Sequence, residues 1–361
     1  MKIVVAMSGG VDSSVAAGLL VEAGHEVIGL AMKTHSEAPK QNRACCTPDD
    51  MRDARRVADT LGIPFYVLNY EELFAEAVVA PFVQAYREGR TPNPCVECND
   101  KVKFVPMLAR ARLLGAEKLA TGHYARIEPG EDGLLSLYRG RDSRKDQSYF
   151  LYRLSQDQLQ DLMFPLGHMT KDEVREHARR LGLNVAEKAE SQEICFVGAG
   201  GYTEVVEKMS GAMRPGSIVD EKGQTLGTHE GIHRYTVGQR RGLGISAPQP
   251  LYVTGVDAEK NLVHVGERSA LLSTSVDVES VHWTREPPPL GDLISVQQRY
   301  REVAKPAVLR ACESSIRVHF QEPTMRGAPG QAAVFYDGDR VVGGGTLKVQ
   351  RRPGLPLAEV R

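Results

Sequence analysis

Lys2-Ile3-Val4-Val5-Ala6-Met7-Ser8-Gly9-Gly10-Val11-Asp12-Ser13-Ser14 opens the chain, and its reading decides the fold. The run Lys2–Met7 is almost wholly apolar and β-branched, as a strand buried on both faces must be. Two glycines follow, and then a helical pattern over Ser13–Ala23. A strand passing through a glycine turn into a helix aims backbone N–H groups at a point where phosphate oxygens can sit. The glycines let that backbone approach a ligand closely, and Ser8 and Ser13 add hydroxyl donors. Asp12 suits a magnesium ion bridging phosphates. No Gly-Lys-Ser/Thr follows, so this is not a Walker loop, and the Rossmann glycine spacing is absent too.

Working outward, strands are expected at Glu26–Met32, Phe65–Asn69 and Lys118–Thr121. Helices are expected at Asp49–Leu61, Glu72–Arg87, Phe104–Leu114 and Lys171–Leu181. Gly24, Gly62, Gly89, Gly115 and Gly182 stand near the helix ends, where a left-handed cap is common. Strand–helix repetition predicts an α/β fold with a parallel sheet covered by helices on both faces. Beyond residue 205 the texture changes to glycine, β-branched residues and turns. Hairpin turns are expected at Glu221–Gln224 and Asp257–Asn261. From residue 271 alternation in Ile294–Arg301, Ile316–Phe320 and Ala332–Tyr336 predicts a small antiparallel barrel or sandwich. The division is therefore 1–205, a small mostly-β central domain at 206–270, and a C-terminal antiparallel β-barrel at 271–361.

The 361 residues carry a formal net charge of −1, with 42% hydrophobic and 25% charged residues. That is ordinary for a soluble globular protein, and a cytoplasmic location with no membrane partner is the expectation. No apolar run approaches the roughly 20 residues of a membrane helix. The N-terminal stretch is too short for a signal peptide. A nucleic-acid partner would need local basic clusters, such as Lys101 with Lys103, 139–145, Arg240-Arg241 and 299–305, although such runs are usually plain solvated surface.

Of six cysteines, Cys45, Cys46 and Cys312 read as spectators. Cys95 and Cys98 form a Cys-x-x-Cys pair in the proline-stiffened loop Thr91–Asn99. Half a zinc site or a local redox pair would both explain it. A zinc site needs two further ligands, and no second pair is present. Cys195, in Glu190–Phe196, is a third thiol that folding could bring near.

Ser-Gly-Gly-x-Asp-Ser at a first strand end resembles the pyrophosphate loop of the ATP pyrophosphatase (adenine nucleotide alpha hydrolase-like) superfamily, whose members split ATP into AMP and pyrophosphate. The match narrows with Thr91–Asn99, Thr121–Tyr124, Lys145–Leu151, Ile194–Phe196, Thr236–Gly244, Arg299-Tyr300 and Pro329–Gln331. Taken in order over nearly the whole chain, these resemble the tRNA 2-thiouridylases, sulfurtransferases that thiolate the wobble uridine in the anticodon loop of tRNA. The resemblance implies an ATP-pyrophosphatase domain, a central domain and a β-barrel. It implies that Ala6, Met7, Ser8, Gly9, Gly10, Val11, Asp12 and Ser13 hold ATP with Mg2+, and that Met32 and Gly122 lie near the nucleotide. Asn93, Pro94 and Cys95 would lie beside the target base. His123, Lys145, Asp146, Gln147, Arg299, Tyr300 and Gln331 would contact tRNA. Without the resemblance, Arg299, Tyr300 and Gln331 would read as barrel surface.

Cys98 would be the nucleophile and Cys195 the persulfide carrier, the two closing a transient disulfide. The sulfur would come from a donor protein such as a cysteine desulfurase or a sulfur relay. Adenylation would turn the uracil C2 oxygen, a poor leaving group, into one that departs as AMP. The chain departs from the family in one respect: Cys95 stands where many members carry aspartate. Cys95, Cys98 and Cys195 could instead hold an iron–sulfur cluster with one open iron. Another ATP-pyrophosphatase ligase, or an RNA-binding protein with a structural metal, are the rival readings.

Overall fold

The computed structural model describes residues 1–35, 47–189, 194–211, 213–312 and 314–349; Cys45 and Cys46 lie outside them. The first sheet and its appendages comprise β1 (Lys2–Ala6), β2 (Glu26–Lys33), β3 (Phe65–Asn69), β4 (Lys118–Thr121), the hairpin β5 (Ala125–Pro129) and β6 (Leu135–Arg139), and the short β7 (Leu162–Met163). The sheet runs β3-β2-β1-β4-β7, every pair parallel. Residues alternate faces along a strand. Ile3, Val5 and Met7 therefore enter one core with helices α1 (Val11–Glu22) and α2 (Pro48–Leu61), while Val4 enters another beneath the helices at 71–113. This is why the opening strand carries no polar face, and the expected doubly covered parallel sheet is present.

Two helical stretches, 71–87 and 94–113, each contain a π-helical turn, Ala75–Val79 and Cys98–Phe104. In both, a proline follows two residues after the turn, Pro81 and Pro106. Proline lacks the N–H an α-helix needs and clashes with the carbonyl one turn back. A widened turn relieves both conflicts without ending the helix. The reading of Thr91–Asn99 as a loop is corrected here: the helix starts at Pro94, not Phe104. Asn93 is extended, and Pro94 takes the first helical position, where its fixed φ is an advantage. Cys95 and Cys98 consequently sit three residues apart on one helix.

The second sheet contains β8 (Gly216–Val219), β9 (Thr225–His229), β10 (Tyr252–Asp257) and β11 (Leu262–Gly266), in the order β10-β11-β8-β9. Both expected hairpin turns are present; Asp220 Oδ1 accepts from Lys222 N at 2.9 Å and Gln224 N at 2.8 Å, closing the first. The barrel contains β12 (Leu272–Trp283), β13 (Leu293–Gln297), β14 (Lys305–Cys312), β15 (Ser315–Met325), β16 (Ala332–Asp337) and β17 (Arg340–Leu347). It closes by pairing β12 with β17. The β5–β6 hairpin, which comes more than 130 residues before β12, adds to the same sheet through Val341↔Leu137 and Arg340↔Tyr138. Backbone hydrogen bonds thus join the sheet-bearing unit to the barrel. Among the described residues no helix is long and apolar enough to cross a membrane.

Candidate active site

The phosphate loop leaves β1 at Ala6. Met7 N still donates to Leu30 O at 2.7 Å, so the strand continues to the edge of the loop. Gly9 then takes a left-handed φ of 73°, and Gly10 is the extended residue before α1. Ser8 N donates to Ser13 Oγ at 3.1 Å, and Ser14 Oγ donates to Gly10 O at 2.8 Å. These bonds fix the loop around the opening of α1. Gly122, at the end of β4, packs directly on that opening: a Cβ there would lie 2.6 Å from Ser13 N. Asp12 Oδ1 accepts from Tyr124 Oη at 2.7 Å and Lys171 Nζ at 2.6 Å. Both bonds fall on Oδ1, so Asp12 can offer its other oxygen to magnesium. One carboxylate suits that ion, which takes most of its ligands from phosphate and water.

Cys98 opens the π-helical turn and is half-buried; Cys95, one turn earlier, is exposed. Cys195 is half-buried as well. The Cys195 segment is seated by Phe196, whose ring meets Phe82 edge-on at 5.0 Å and Phe74 at 5.7 Å. Cys98 and Cys195 pack on one and the same apolar cluster, which also takes in Met32, Ala6 and Tyr300. Residues expected at the nucleotide, at the sulfur and at the RNA therefore share one core. Among the described residues no three His, Cys, Asp or Glu side chains are arranged to hold a metal ion. In this conformation Cys95, Cys98 and Cys195 do not form a ready-made cluster or zinc site.

The helix carrying the cysteines is tied down at several points. Glu97 pairs with Arg153 at 2.7 Å and Lys101 at 2.8 Å; burial pushes its carboxyl up, but the two cations together hold it below its ordinary value. Asn99 Nδ2 donates to Phe150 O at 3.2 Å. From the barrel, Gln331 Nε2 donates to Thr91 O at 3.0 Å and to Pro92 O at 3.1 Å, and Thr91 N donates to Pro329 O at 2.7 Å. Thr91 Oγ1 also reaches Thr236 of the central domain at 3.4 Å. The entry to the Cys95–Cys98 helix is thus where all three parts of the chain meet.

The remaining expected RNA contacts divide into two kinds. Asp146 is buried and accepts from Arg139 Nη1, Gly140 N, Ser148 N and Ser148 Oγ, so its carboxylate is already engaged in shaping its loop. Gln147 Oε1 accepts from Tyr124 N at 3.0 Å. Arg299 Nη2 donates to Arg326 O at 2.6 Å, and Tyr300 packs on Phe150 at 4.5 Å. Both are half-buried rather than enclosed, as is Lys145.

His123 lies between Phe104 and Phe164, each 5.8 Å away, with Nδ1 2.7 Å from Thr121 Oγ1. Burial first, and the Lys103 ammonium second, hold its imidazole down to about 3 from an ordinary 6.5. A neutral ring can offer tRNA a hydrogen bond but no ionic contact. The unfolded chain binds this proton near 6.5 and the folded protein does not, so acid favours unfolding. The stability is complete above 6.5 and is lost as pH falls towards 3, by at most about 1.4 kcal/mol per pH unit. Urea midpoints taken between about pH 7 and pH 5 should therefore fall less steeply in His123→Gln than in the parent. Equal slopes would mean that His123 protonates within the fold.

Comparison with known proteins fits this geometry. The family described as tRNA methyl transferase HUP domain matches residues 1–199, its PRC-barrel domain matches 203–267, and an aminomethyltransferase beta-barrel domain matches 273–347. The tRNA-specific 2-thiouridylase MnmA of Geobacter metallireducens is 52% identical, with 98% of each chain covered. The namesake proteins of Geotalea uraniireducens (51%, covering 96% of this chain and 95% of that one) and Magnetococcus marinus (48%, covering 96% and 98%) are similar over the same extent. The chain belongs to the tRNA-specific 2-thiouridylase family.

Three residues of this 2-thiouridylase family member escaped sequence reasoning. Lys171 and Tyr124 hold Asp12, and Lys188 Nζ donates to Gly9 O at 2.9 Å. Tyr124 closes the Thr121–Tyr124 motif, which could have drawn attention to it. Lys171 and Lys188 carry no local signal, because each is one lysine among surface charges until the fold brings it to the loop.

Proposed function

We propose that this protein uses ATP to replace the C2 oxygen of the wobble uridine of tRNA by sulfur, with Cys98 and Cys195 handling the sulfur. The observation that carries the reading is the shared cluster: Cys98 and Cys195 pack on the core that also holds Ala6 and Met32 beside the phosphate loop. In the first step the uracil C2 oxygen attacks the α-phosphorus of ATP. Pyrophosphate leaves with the broken P–O bond, and the N3 proton is given up. The N–H groups of residues 8–13 hold the triphosphate, and magnesium on Asp12 would offset its charge.

The terminal sulfur of a Cys195 persulfide, as its anion, then attacks C2. The C2–O bond breaks, and AMP leaves with the oxygen and the electron pair. The Cys98 thiolate next attacks Cys195 Sγ. A Cys98–Cys195 disulfide forms, the transferred sulfur keeps the electron pair, and N3 regains a proton to give 2-thiouridine. The chemistry is ordinary thiol–disulfide exchange. A thiol reductant returns the disulfide to two thiols, and a cysteine desulfurase or sulfur relay protein reloads Cys195. A persulfide suits this role because it is more acidic than a thiol, which is only a few per cent ionised at neutral pH. Among the described residues Cys95, Cys98 and Cys195 are not grouped as metal donors, which favours the persulfide route over a cluster.

A wobble base lies in a single-stranded loop, so turning it into the crevice costs little. Incubation with tRNA, ATP and a sulfur donor, followed by mass spectrometry of anticodon nucleosides, should yield 2-thiouridine with one AMP per product. AMP release that does not depend on tRNA would favour a small-molecule ligase instead.

A further inference from the structure

The barrel turn Pro329-Gly330-Gln331 takes hold of the chain just ahead of the cysteine helix. Gln331 Nε2 donates to Thr91 O at 3.0 Å and to Pro92 O at 3.1 Å. That nitrogen carries the only two donors of the side chain, and both are spent on the protein. Thr91 N donates in the other direction, to Pro329 O at 2.7 Å. Between these bonds the two backbones touch. Gly330 has a left-handed φ of 91°, and a Cβ there would lie 2.9 Å from Thr91 O. Only glycine suits both conditions. The turn is itself anchored in the barrel: Gly330 N donates to Leu347 O and Leu347 N to Gln331 O, each at 2.8 Å, and Gln331 N donates to Ala328 O at 3.1 Å. Leu347 and Ala328 are buried.

The chain beyond this contact is stiff. Pro92 and Pro94 flank Asn93, and each proline fixes its own φ and restricts the residue before it. Pro94 is buried and opens the helix, Val96 is buried one turn into it, and Asn99 is bonded to Phe150 O. From Thr91 to Asn99 the backbone is therefore either proline-restricted or helical, so an anchor at 91–92 is felt at Cys98. We infer that Gln331 is a positioning residue: reaching from the barrel, it clamps Thr91 and Pro92 and thereby sets where the helix bearing Cys98 begins. The resemblance assigns Gln331 to RNA. With both N–H groups engaged, its free oxygen can accept a hydrogen bond but offers nothing to a phosphate.

The inference rests on the reading of this protein as a tRNA 2-thiouridylase for what the clamp serves, and its test separates the two. The first measurement contains neither RNA nor ATP: the rate at which iodoacetamide alkylates each cysteine, resolved by peptide mass spectrometry. Methionine has nearly the length of glutamine and no donor. In Gln331→Met, Cys98 should react roughly tenfold faster, because losing two hydrogen bonds frees the helix entry, while Cys195 keeps the parent rate. A Gln331 that only meets RNA would leave Cys98 at the parent rate. A Gln331 that only stabilises the fold would speed Cys195 as much as Cys98. Either result overturns the inference.

The second measurement is 2-thiouridine formation with a sulfur donor. In Gln331→Met, kcat should fall roughly tenfold or more through misplacement of the thiol, with KM for tRNA within about twofold of the parent. A raised KM at unchanged kcat would mark Gln331 as an RNA contact and defeat the clamp. A parent that forms no 2-thiouridine defeats the functional reading, while the alkylation rates still decide the clamp. If Gln331→Met does not fold, Gln331→Glu carries both measurements. It keeps the shape but turns an acceptor towards two carbonyl oxygens.

Discussion

Cys195→Ser and Cys98→Ser should each lower 2-thiouridine formation by roughly a thousandfold or more, as loss of a covalent nucleophile does. A hydroxyl cannot carry a persulfide, and it cannot attack one. The two variants should differ in what they retain. Cys98→Ser should still accept one sulfur atom on Cys195 from a donor, visible as a mass gain on the intact protein, and then stall. Cys195→Ser should accept none there. Both should fold and bind ATP, because the phosphate loop is held by bonds that involve neither thiol. Cys95→Ser, at an exposed position without a convergent donor set, should keep most of the activity. Loss of activity in Cys95→Ser equal to that in Cys98→Ser would revive the three-thiol cluster, and iron and sulfide counts on anaerobic protein would then decide.

Gly9→Ala should abolish ATP binding at concentrations where the parent is saturated, a loss of about a hundredfold or more in affinity. Two costs combine. The left-handed φ of 73° disfavours any residue with a Cβ, by about 1–2 kcal/mol. The added carbon would also lie 2.7 Å from the Asp50 carbonyl carbon, within the backbone of α2. The first turn of α2 cannot yield without disturbing its Thr47–Asp50 capping box and the bonds of Lys188 Nζ to Asp50 and Asp53, so the loop must move instead. Gly24→Ala provides the control: its φ of 76° imposes a similar backbone cost, but nothing lies within 4 Å. It should lower stability by about 1 kcal/mol and leave ATP affinity alone. Isothermal titration with both variants checks this, and normal ATP affinity in Gly9→Ala would show that the loop is not the phosphate site.

Several elements were legible because their causes are local. The buried strand Lys2–Ala6, the glycine turn and α1 follow from a dozen consecutive residues. The helix expected at Asp49–Leu61 belongs to the same class, although its start at Pro48, capped by Thr47, was not read. The cysteine loop was misread because its cause is not local. Proline at 94 and again at 106 suggests a break on either side, whereas the first proline opens the helix and tertiary packing holds that helix through the second, which a π-helical turn relieves. That relief places Cys98 at the first residue of the widened turn, a position no spacing rule supplies.

By itself the sequence determined what each segment can be: which run is a strand buried on both faces, which turn can face phosphate, and which residues can carry sulfur. Backbone preferences and side-chain chemistry act over a few neighbours, so these are fixed before the chain folds. Only the tertiary structure decided which of them meet. Lys171 on Asp12, Lys188 on Gly9, Gln331 on the entry to the cysteine helix, and the β5–β6 hairpin on the barrel all join distant parts of the chain. Such contacts form where burying several apolar faces at once leaves these groups adjacent, a condition set by the whole chain and written in no single segment.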